Sequence, residues 1–253
     1  MHRRTLFLSF FVPGLLLGLK AQAAVDWMQQ GAALEKLAKT QEALEAYLAA
    51  EKVLATDANL MVRIAIQYSY LMTDATDPGE KARLGKLSLA YAEKAVKLDP
   101  NLCDAHLSIA ICQGKLLPLM SIKEKITTSR IIKSAADRAV VLDPSNDLAW
   151  HILARWHQQL SMISGFKKAI AELVYGTLPK ASSEDSVTYF KKAIALNPSR
   201  LMHYVELGRT YALMGNSDKA SEYLKKGLAM PDREKDDPDT KKRGQAVLDK
   251  LSP

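Results

Sequence analysis

At 253 residues, 48% of them hydrophobic and 25% charged, the chain has the size and balance of one medium domain or one short repeat array with a sizeable core. Glycine and proline are sparse, at 12 and 10, and Ala, Leu and Lys abound, which favours helix over sheet. The net charge of +7 falls to 32 basic against 28 acidic residues once Arg3, Arg4 and Lys20 are set aside; that is a solubility charge and speaks against nucleic acid as a partner.

The chain opens with a basic start, Arg3 and Arg4, and an apolar run from Leu6 to Leu19. It then reaches Ala21-Gln22-Ala23, small residues at the positions a signal peptidase reads. Residues 1–23 are therefore predicted to be a cleaved secretory signal, and residues 24–253 a single exported domain in a periplasm-like compartment. An uncleaved anchor and a mitochondrial presequence are the alternatives. A presequence is amphipathic and rich in Ser and Arg, whereas this run is uniformly apolar. No later segment is apolar enough to span a bilayer, so membrane contact is expected only if the leader stays attached.

Helical hairpins follow. Trp27, Gly31, Leu34, Ala43, Tyr47 and Ala50 sit at the small and large positions of a tetratricopeptide repeat. A recurrent phrase then marks helix ends. It is weak at Ala50–Ala58, and full at Ala92–Pro100, Ala136–Pro144 and Phe190–Pro198, closing each time on Leu-Asp-Pro or Leu-Asn-Pro. Proline stops each helix because it lacks an N–H and crowds the preceding turn. Cys103 and Cys112 share one predicted helix, about 13.5 Å apart along its axis, which rules out a disulfide between them while the helix stands.

The last repeat carries Tyr204, Leu207, Gly208 and Tyr211, a Gly215-Asn216 turn, then Ala220, Leu224 and Gly227. Gly208 and Ala220 are expected to let two helices approach closely. Asp237 as N-cap and Pro238 at the first helical position start a capping helix, with Ala246, Val247 and Leu251 on its apolar side. The fold class is thus all-α: a tetratricopeptide-like α-solenoid with a C-terminal capping helix. Its middle is irregular. Pro100 to Pro144 spans 44 residues and Pro144 to Pro198 spans 54, against a period of about 34. Two long helical insertions, roughly 114–128 and 159–183, account for the excess.

The insertions carry a more specific pattern. Ile122-Lys123, Lys125-Ile126, Ile131-Ile132-Lys133, Ala139 and Leu142-Asp143-Pro144 are followed by Leu153-Ala154-Arg155-Trp156. Then come Ile170-Ala171, Tyr175, Thr177, Pro179, Ser183-Glu184, Phe190 and Ala193. This order resembles the regulator of microtubule dynamics family, from about Met61 to Leu251. The resemblance implies a tetratricopeptide-like scaffold, and animal members are associated with microtubules, mitochondria or organelle contacts.

No phosphate-binding glycine loop, nucleophile elbow or metalloprotease motif is present, and His151 and His157 are spaced too far round a helix to chelate. No cofactor, no metal and no enzymatic activity are expected. The Lys/Asn/Arg clamp of chaperone-tail-binding repeats is replaced by Met28 and Ala32. A protein or peptide partner is expected instead. The inner face near Asp147 is predicted to present Leu148, His151, Arg155 and Gln158, and that of the last repeat Met202, Val205, Arg209 and Ala212. His151, Arg155, Gln158 and Arg209 would form a groove for an acidic segment, since Arg offers a bidentate fork; alternatively Arg155 pairs with a structural acid in the insertion that carries the family pattern. Lys115, Lys123, Lys125, Arg130 and Lys133 form a candidate basic patch for phospholipid or an acidic partner, or a solvated helix face. The function predicted is an exported, non-enzymatic interaction scaffold. The alternative is a membrane-anchored, cytoskeleton- or organelle-associated scaffold.

Overall fold

The structure, a computed structural model, describes residues 13–163, 165, 172 and 180–251. Among these residues there are eleven α-helices and no strand. In chain order they are α1 (Pro13–Lys36), α2 (Thr40–Glu51), α3 (Ala58–Asp74), α4 (Pro78–Leu98), α5 (Cys103–Leu116), α6 (Ile122–Leu142), α7 (Asp147–Ser161), α8 (Ser183–Leu196), α9 (Leu201–Leu213), α10 (Ser217–Ala229) and α11 (Asp237–Leu251). Consecutive helices pair as antiparallel hairpins, α1 with α2 through α9 with α10, and each hairpin stacks on the next. The odd-numbered helices of the five pairs line the inner face, as in any tetratricopeptide array. α11 closes the far end.

The helix ends follow from local chemistry. Asp57, Asp77, Ser121, Asn146, Ser182 and Asn216 each accept a backbone N–H three residues on, supplying the donors of the first turn with a partner. Ser121 and Glu124 form a full capping box. Proline disfavours the α region for the residue before it, and the three stops share one conformation outside it: Asp99 lies at φ −138°, ψ 96°, Asp143 at −141°, 90° and Asn197 at −140°, 85°. Each of these side chains then accepts the backbone N–H two residues on. Six residues after each proline, His106, Trp150 or Tyr204 donates to that proline's carbonyl at 2.9–3.0 Å. The turn is thus locked from both sides in all three copies.

Packing is a chain of small cores rather than one large one. Tyr47, Leu60 and Ile64 centre the first, Trp156 with Ile132 and Leu153 a middle one, and Phe190 with Leu207 and Tyr211 a later one. Close approach depends on glycine at two hairpins. A Cβ at Gly31 would stand 2.5 Å from Tyr47 Cε1, and one at Gly208 would stand 2.8 Å from the backbone N of Leu224. The expected closeness of Gly208 and Ala220 is therefore present. The 114–128 insertion resolves into the end of α5, a 3₁₀ turn at Leu117–Leu119 and the first turns of the long α6. Most of the 159–183 insertion, with Ile170, Tyr175, Thr177 and Pro179, lies outside the described residues.

Two expectations at the C-terminus need correction. Asp237 does not cap α11; its Oδ2 turns back and accepts the N–H groups of Arg233 and Glu234, both at 2.8 Å. Ala246 is exposed, and α11 instead packs Val247, Leu248 and Leu251 against Leu201, Val205 and Leu224, with Gly244 buried over Val205.

The turns predict two opposite mutational effects. Gly208→Ala meets backbone, which cannot give way cheaply, and is expected to cost about 1–3 kcal/mol. Ala38, at φ +55°, occupies the left-handed position that Gly215 fills at φ +73° between α9 and α10. Ala38→Gly is expected to stabilise by about 1 kcal/mol. Denaturant unfolding of both variants checks the pair, and stabilisation by Gly208→Ala would refute the close-approach account.

Candidate functional site

Polar residues at Asp147, His151, Arg155 and Gln158 recur every three or four positions, so they share one side of α7. On α9, His203, Glu206 and Thr210 do the same, and the two sides meet. The result is a polar seam between two inner helices. At its upper end Asp147 Oδ2 accepts from Arg200 at 2.5 Å and from His203 Nε2 at 2.8 Å. His203 Nδ1 faces His151 Nδ1 at 2.9 Å, and His151 stands edge-on to Phe190. At its lower end Gln158 Nε2 donates to Glu206 O at 3.0 Å and to Thr210 Oγ1 at 2.9 Å.

The middle of the seam is electrostatic. Glu206 is 2% exposed and accepts from Arg155 and from Arg209, the latter at 2.7 and 2.8 Å; Arg243 of α11 approaches to 3.9 Å. Burial pushes the Glu206 carboxyl up, but Arg155, Arg209 and Arg243 outweigh it and hold it below its usual value. Three guanidinium groups therefore surround one carboxylate, a positive excess even with Asp239 near Arg243. Their side chains are 30%, 23% and 48% exposed, so each offers part of its fork to solvent.

Proton positions follow from the partners. Asp147 is held ionised by His203 and Arg200 against the cost of burial, so His203 Nε2 donates. Neutral His203 must then accept at Nδ1, and His151 Nδ1 carries the hydrogen. Burial lowers the His151 pKa well below its ordinary value, with the charges of His203, Arg155 and Arg200 adding to the effect. Burial likewise lowers that of His203, with Asp147 opposing. The cysteines are free, and burial pushes Cys103 and Cys112 up to about 11, so both are protonated thiols.

The four predicted groove residues do come together, but not as an open wall. His151 and Gln158 are buried, and their polar atoms bond within the seam. Arg155 and Arg209 share Glu206, a structural acid of the last repeat and not of the insertion where one was expected for Arg155. The register on the last repeat is also shifted. Val205 is fully buried against α10 and α11 rather than inner-facing, and Glu206 takes the inner position. The basic patch divides. Lys115 bonds to Thr73 Oγ1 at 2.9 Å and Asp236 at 3.1 Å, Lys133 pairs with Asp137 beside the Trp156 ring, and only Lys123, Lys125 and Arg130 remain on the exposed side of α6. Asp147, Arg200 and Arg243 had no sequence signal of their own. The three-to-four spacing of polar residues on α9 is a signal for His203 and Glu206 alone.

A family model described as regulator of microtubule dynamics protein 1-3 matches residues 24–252. The bovine regulator of microtubule dynamics protein 1 is 28% identical over 183 residues, covering 72% of this chain and 58% of that protein. The human protein of the same name is 26% identical over 178 residues, covering 70% and 57%. The chain thus matches well under two thirds of the length of these relatives. Among solved structures, a thermophilic TPR protein of Thermus thermophilus aligns with TM-score 0.62 at 16% identity, over 89% of this chain and 98% of that one. PilF of Pseudomonas aeruginosa aligns with TM-score 0.56 at 14% identity, over 92% and 94%. At these identities the structures establish the fold, an α-solenoid of tetratricopeptide type.

The seam predicts how stability depends on pH. The unfolded chain protonates His151 and His203 as pH falls through 6.5, while the folded chain, with lowered values, does not. Unfolding then takes up protons, so stability falls below that pH by up to about 1.4 kcal/mol per pH unit for each histidine. The Glu206 contribution is fully present above the ordinary carboxylate range and is lost as pH falls through its depressed value. Melting curves are expected to be level above pH 7 and to decline from pH 6.5 to 5, with a shallower decline in His151→Phe. A level profile over the whole range would contradict the buried neutral pair.

Proposed function

We propose that this chain, which belongs to the regulator of microtubule dynamics protein 1-3 family, is a non-enzymatic scaffold that holds an acidic protein segment on its inner face. The observation that carries this is the charge around Glu206. One buried carboxylate holds Arg155 and Arg209, with Arg243 close by, and even with Asp239 near Arg243 the cluster keeps a positive excess at the surface. The buried acid fixes the guanidinium groups in place before any ligand arrives, which lowers the ordering cost of binding. An incoming carboxylate would meet preorganised forks rather than mobile side chains.

The scaffold is exported. The basic start, the apolar run and Ala21-Gln22-Ala23 support a cut after Ala23, and the family match begins at residue 24. Cleavage would leave the first helix as residues 24–36, close in length to the other inner helices. Its partner is then a protein of the exported compartment, and not the microtubules after which the relatives are named. One observation favours a second reading, a scaffold anchored by its leader. α1 runs without a break from Pro13 through Ala24, so an uncleaved leader would continue rigidly into the first repeat.

Arg243 tests the site best, because Glu206 keeps two partners when it is removed. Removing Arg155 would also break its bond to Gln158 and disturb the seam between α7 and α9. Arg243→Gln combined with Arg209→Gln is expected to fold, by circular dichroism, and to lose most of the partner proteins that the wild type captures from an extract of its source cells. Identical partner sets would remove the groove. Sequencing the N-terminus of the protein recovered from cells is expected to give Ala24 first, and a start at Met1 would establish the anchored form instead.

A further inference from the structure

The seven residues between α10 and α11 do not stay at the end of the array. Glu234 Oε1 accepts from Arg200 Nε at 2.6 Å, at the start of α9. Lys235 Nζ donates to Asp74 Oδ2 at 2.6 Å, at the end of α3 and 161 residues away in sequence. Asp236 Oδ2 accepts from Lys115 Nζ at 3.1 Å, near the end of α5 and 121 residues away. The segment therefore crosses the inner face and touches three of its five helices. Its own shape is held separately. Asp237 bonds the N–H groups of Arg233 and Glu234, and Asp232 pairs with Lys241 at 2.6 Å.

The fit is one of charge order. Glu234, Lys235 and Asp236 alternate in sign, and each meets its opposite on a different helix. Tyr70 sits beneath them on α3, its phenol pKa raised by burial and by the nearby Asp236 and Glu234, with Lys115 over its ring. Met230 packs on the core of Leu201, Val205 and Leu224 at the segment's root, but the stretch that crosses the face, residues 232–236, reads Asp-Arg-Glu-Lys-Asp and carries no apolar side chain. Part-exposed ion pairs of this kind are worth roughly a few-fold each in a binding constant. The segment is held chiefly because its tether keeps it at a high effective concentration. That is the behaviour of a ligand in place, and not of a core element.

We propose that the inner face formed by Asp74, Lys115 and Arg200 is a binding surface for an extended protein segment of acid–base–acid order, and that Glu234-Lys235-Asp236 is its tethered stand-in, displaced when the partner arrives. This rests on the scaffold reading above and names the charge order its partner carries. The surface differs from the arginine cluster around Glu206, so the two are separable by mutation.

The probe is a fluorescent capped peptide with the sequence of residues 231–238, titrated against the full chain. Glu234→Ala/Asp236→Ala vacates the surface and is expected to bind it about tenfold more tightly than wild type does, with affinity falling as salt rises. Adding Lys115→Glu to that variant is expected to abolish binding. Equal affinity for wild type and the vacated variant, or no binding to either, would overturn the proposal. Should the variant fail to fold, amide exchange of residues 231–237 in the wild type, with and without excess peptide, gives the same answer: acceleration by peptide is expected, and unchanged exchange overturns the idea. Partner capture that survives while the peptide fails sinks only this inference. Peptide binding with no partner capture sinks only the arginine site.

Discussion

Proline disfavours helical backbone angles in the residue before it, and at Asp99, Asp143 and Asn197 this preference sets the joints of the array. Asp99, Asp143 and Asn197 adopt nearly the same extended conformation, each ending one helix at the same point relative to the next. Fully buried Ala95, Ala139 and Ala193 sit one turn before, where only a small side chain lets the neighbouring helix close in. The acid or amide at the stop then bonds the following turn, and a polar aromatic six residues past the proline donates to its carbonyl. His106, Trp150 and Tyr204 are different residues doing one job. What they share is a ring long enough to reach back and an N–H or O–H to give. Because the three joints are alike, the inner helices that follow them start in register, and the faces of α7 and α9 meet along their length.

That meeting is polar, which is costly unless every group is partnered. The seam satisfies the requirement by sharing. Asp147 serves Arg200 and His203, Glu206 serves Arg155 and Arg209, and Gln158 ties Arg155 to Thr210 and the backbone of α9. A similar arrangement joins the first two repeats, where Glu35 of α1 accepts from Tyr47, Arg63 and Gln67. In both places a carboxylate on one inner helix gathers cations or amides from another. The difference lies in the remainder. Glu35 has one arginine and is balanced, whereas Glu206 has three nearby and is not, so only the second place leaves charge for a ligand.

The sequence showed the architecture well because its rules are local. Leu-Asp-Pro and Gly208 facing Ala220 each depend on a few neighbouring residues. The site was partly legible. Arg155 and Arg209 stood out as charges on inner helices, and the structure brings them within reach of one carboxylate. Glu206 did not stand out, because a glutamate in a helix is ordinarily solvated, and only the approach of α7 buries it. A register shift of one residue on α9 exchanged Val205 for Glu206, since apolar and polar residues are interleaved too closely there for periodicity to choose. Lys115 was grouped with Lys123 and Lys125 by proximity in sequence, yet the 3₁₀ turn at Leu117–Leu119 separates α5 from α6 and gives Lys115 other partners. No local rule could pair residue 235 with residue 74.

That last pairing changes how the array behaves as a whole. In a stack whose repeats touch only their neighbours, stability is a sum of local terms, and each end can fray independently. Lys235 with Asp74 and Asp236 with Lys115 connect the last repeat to the second and third, so the array is closed on itself through its inner face. Opening the segment would release the ends to move separately, while the seam between α7 and α9 stayed intact. Any partner that displaces the segment therefore acts on curvature as well as occupancy: it exchanges an internal tie for an external one. The buried Asp237 carboxylate, whose Oδ2 accepts the amides of Arg233 and Glu234, stands where that segment joins α11 and keeps its shape while it is tied across the face.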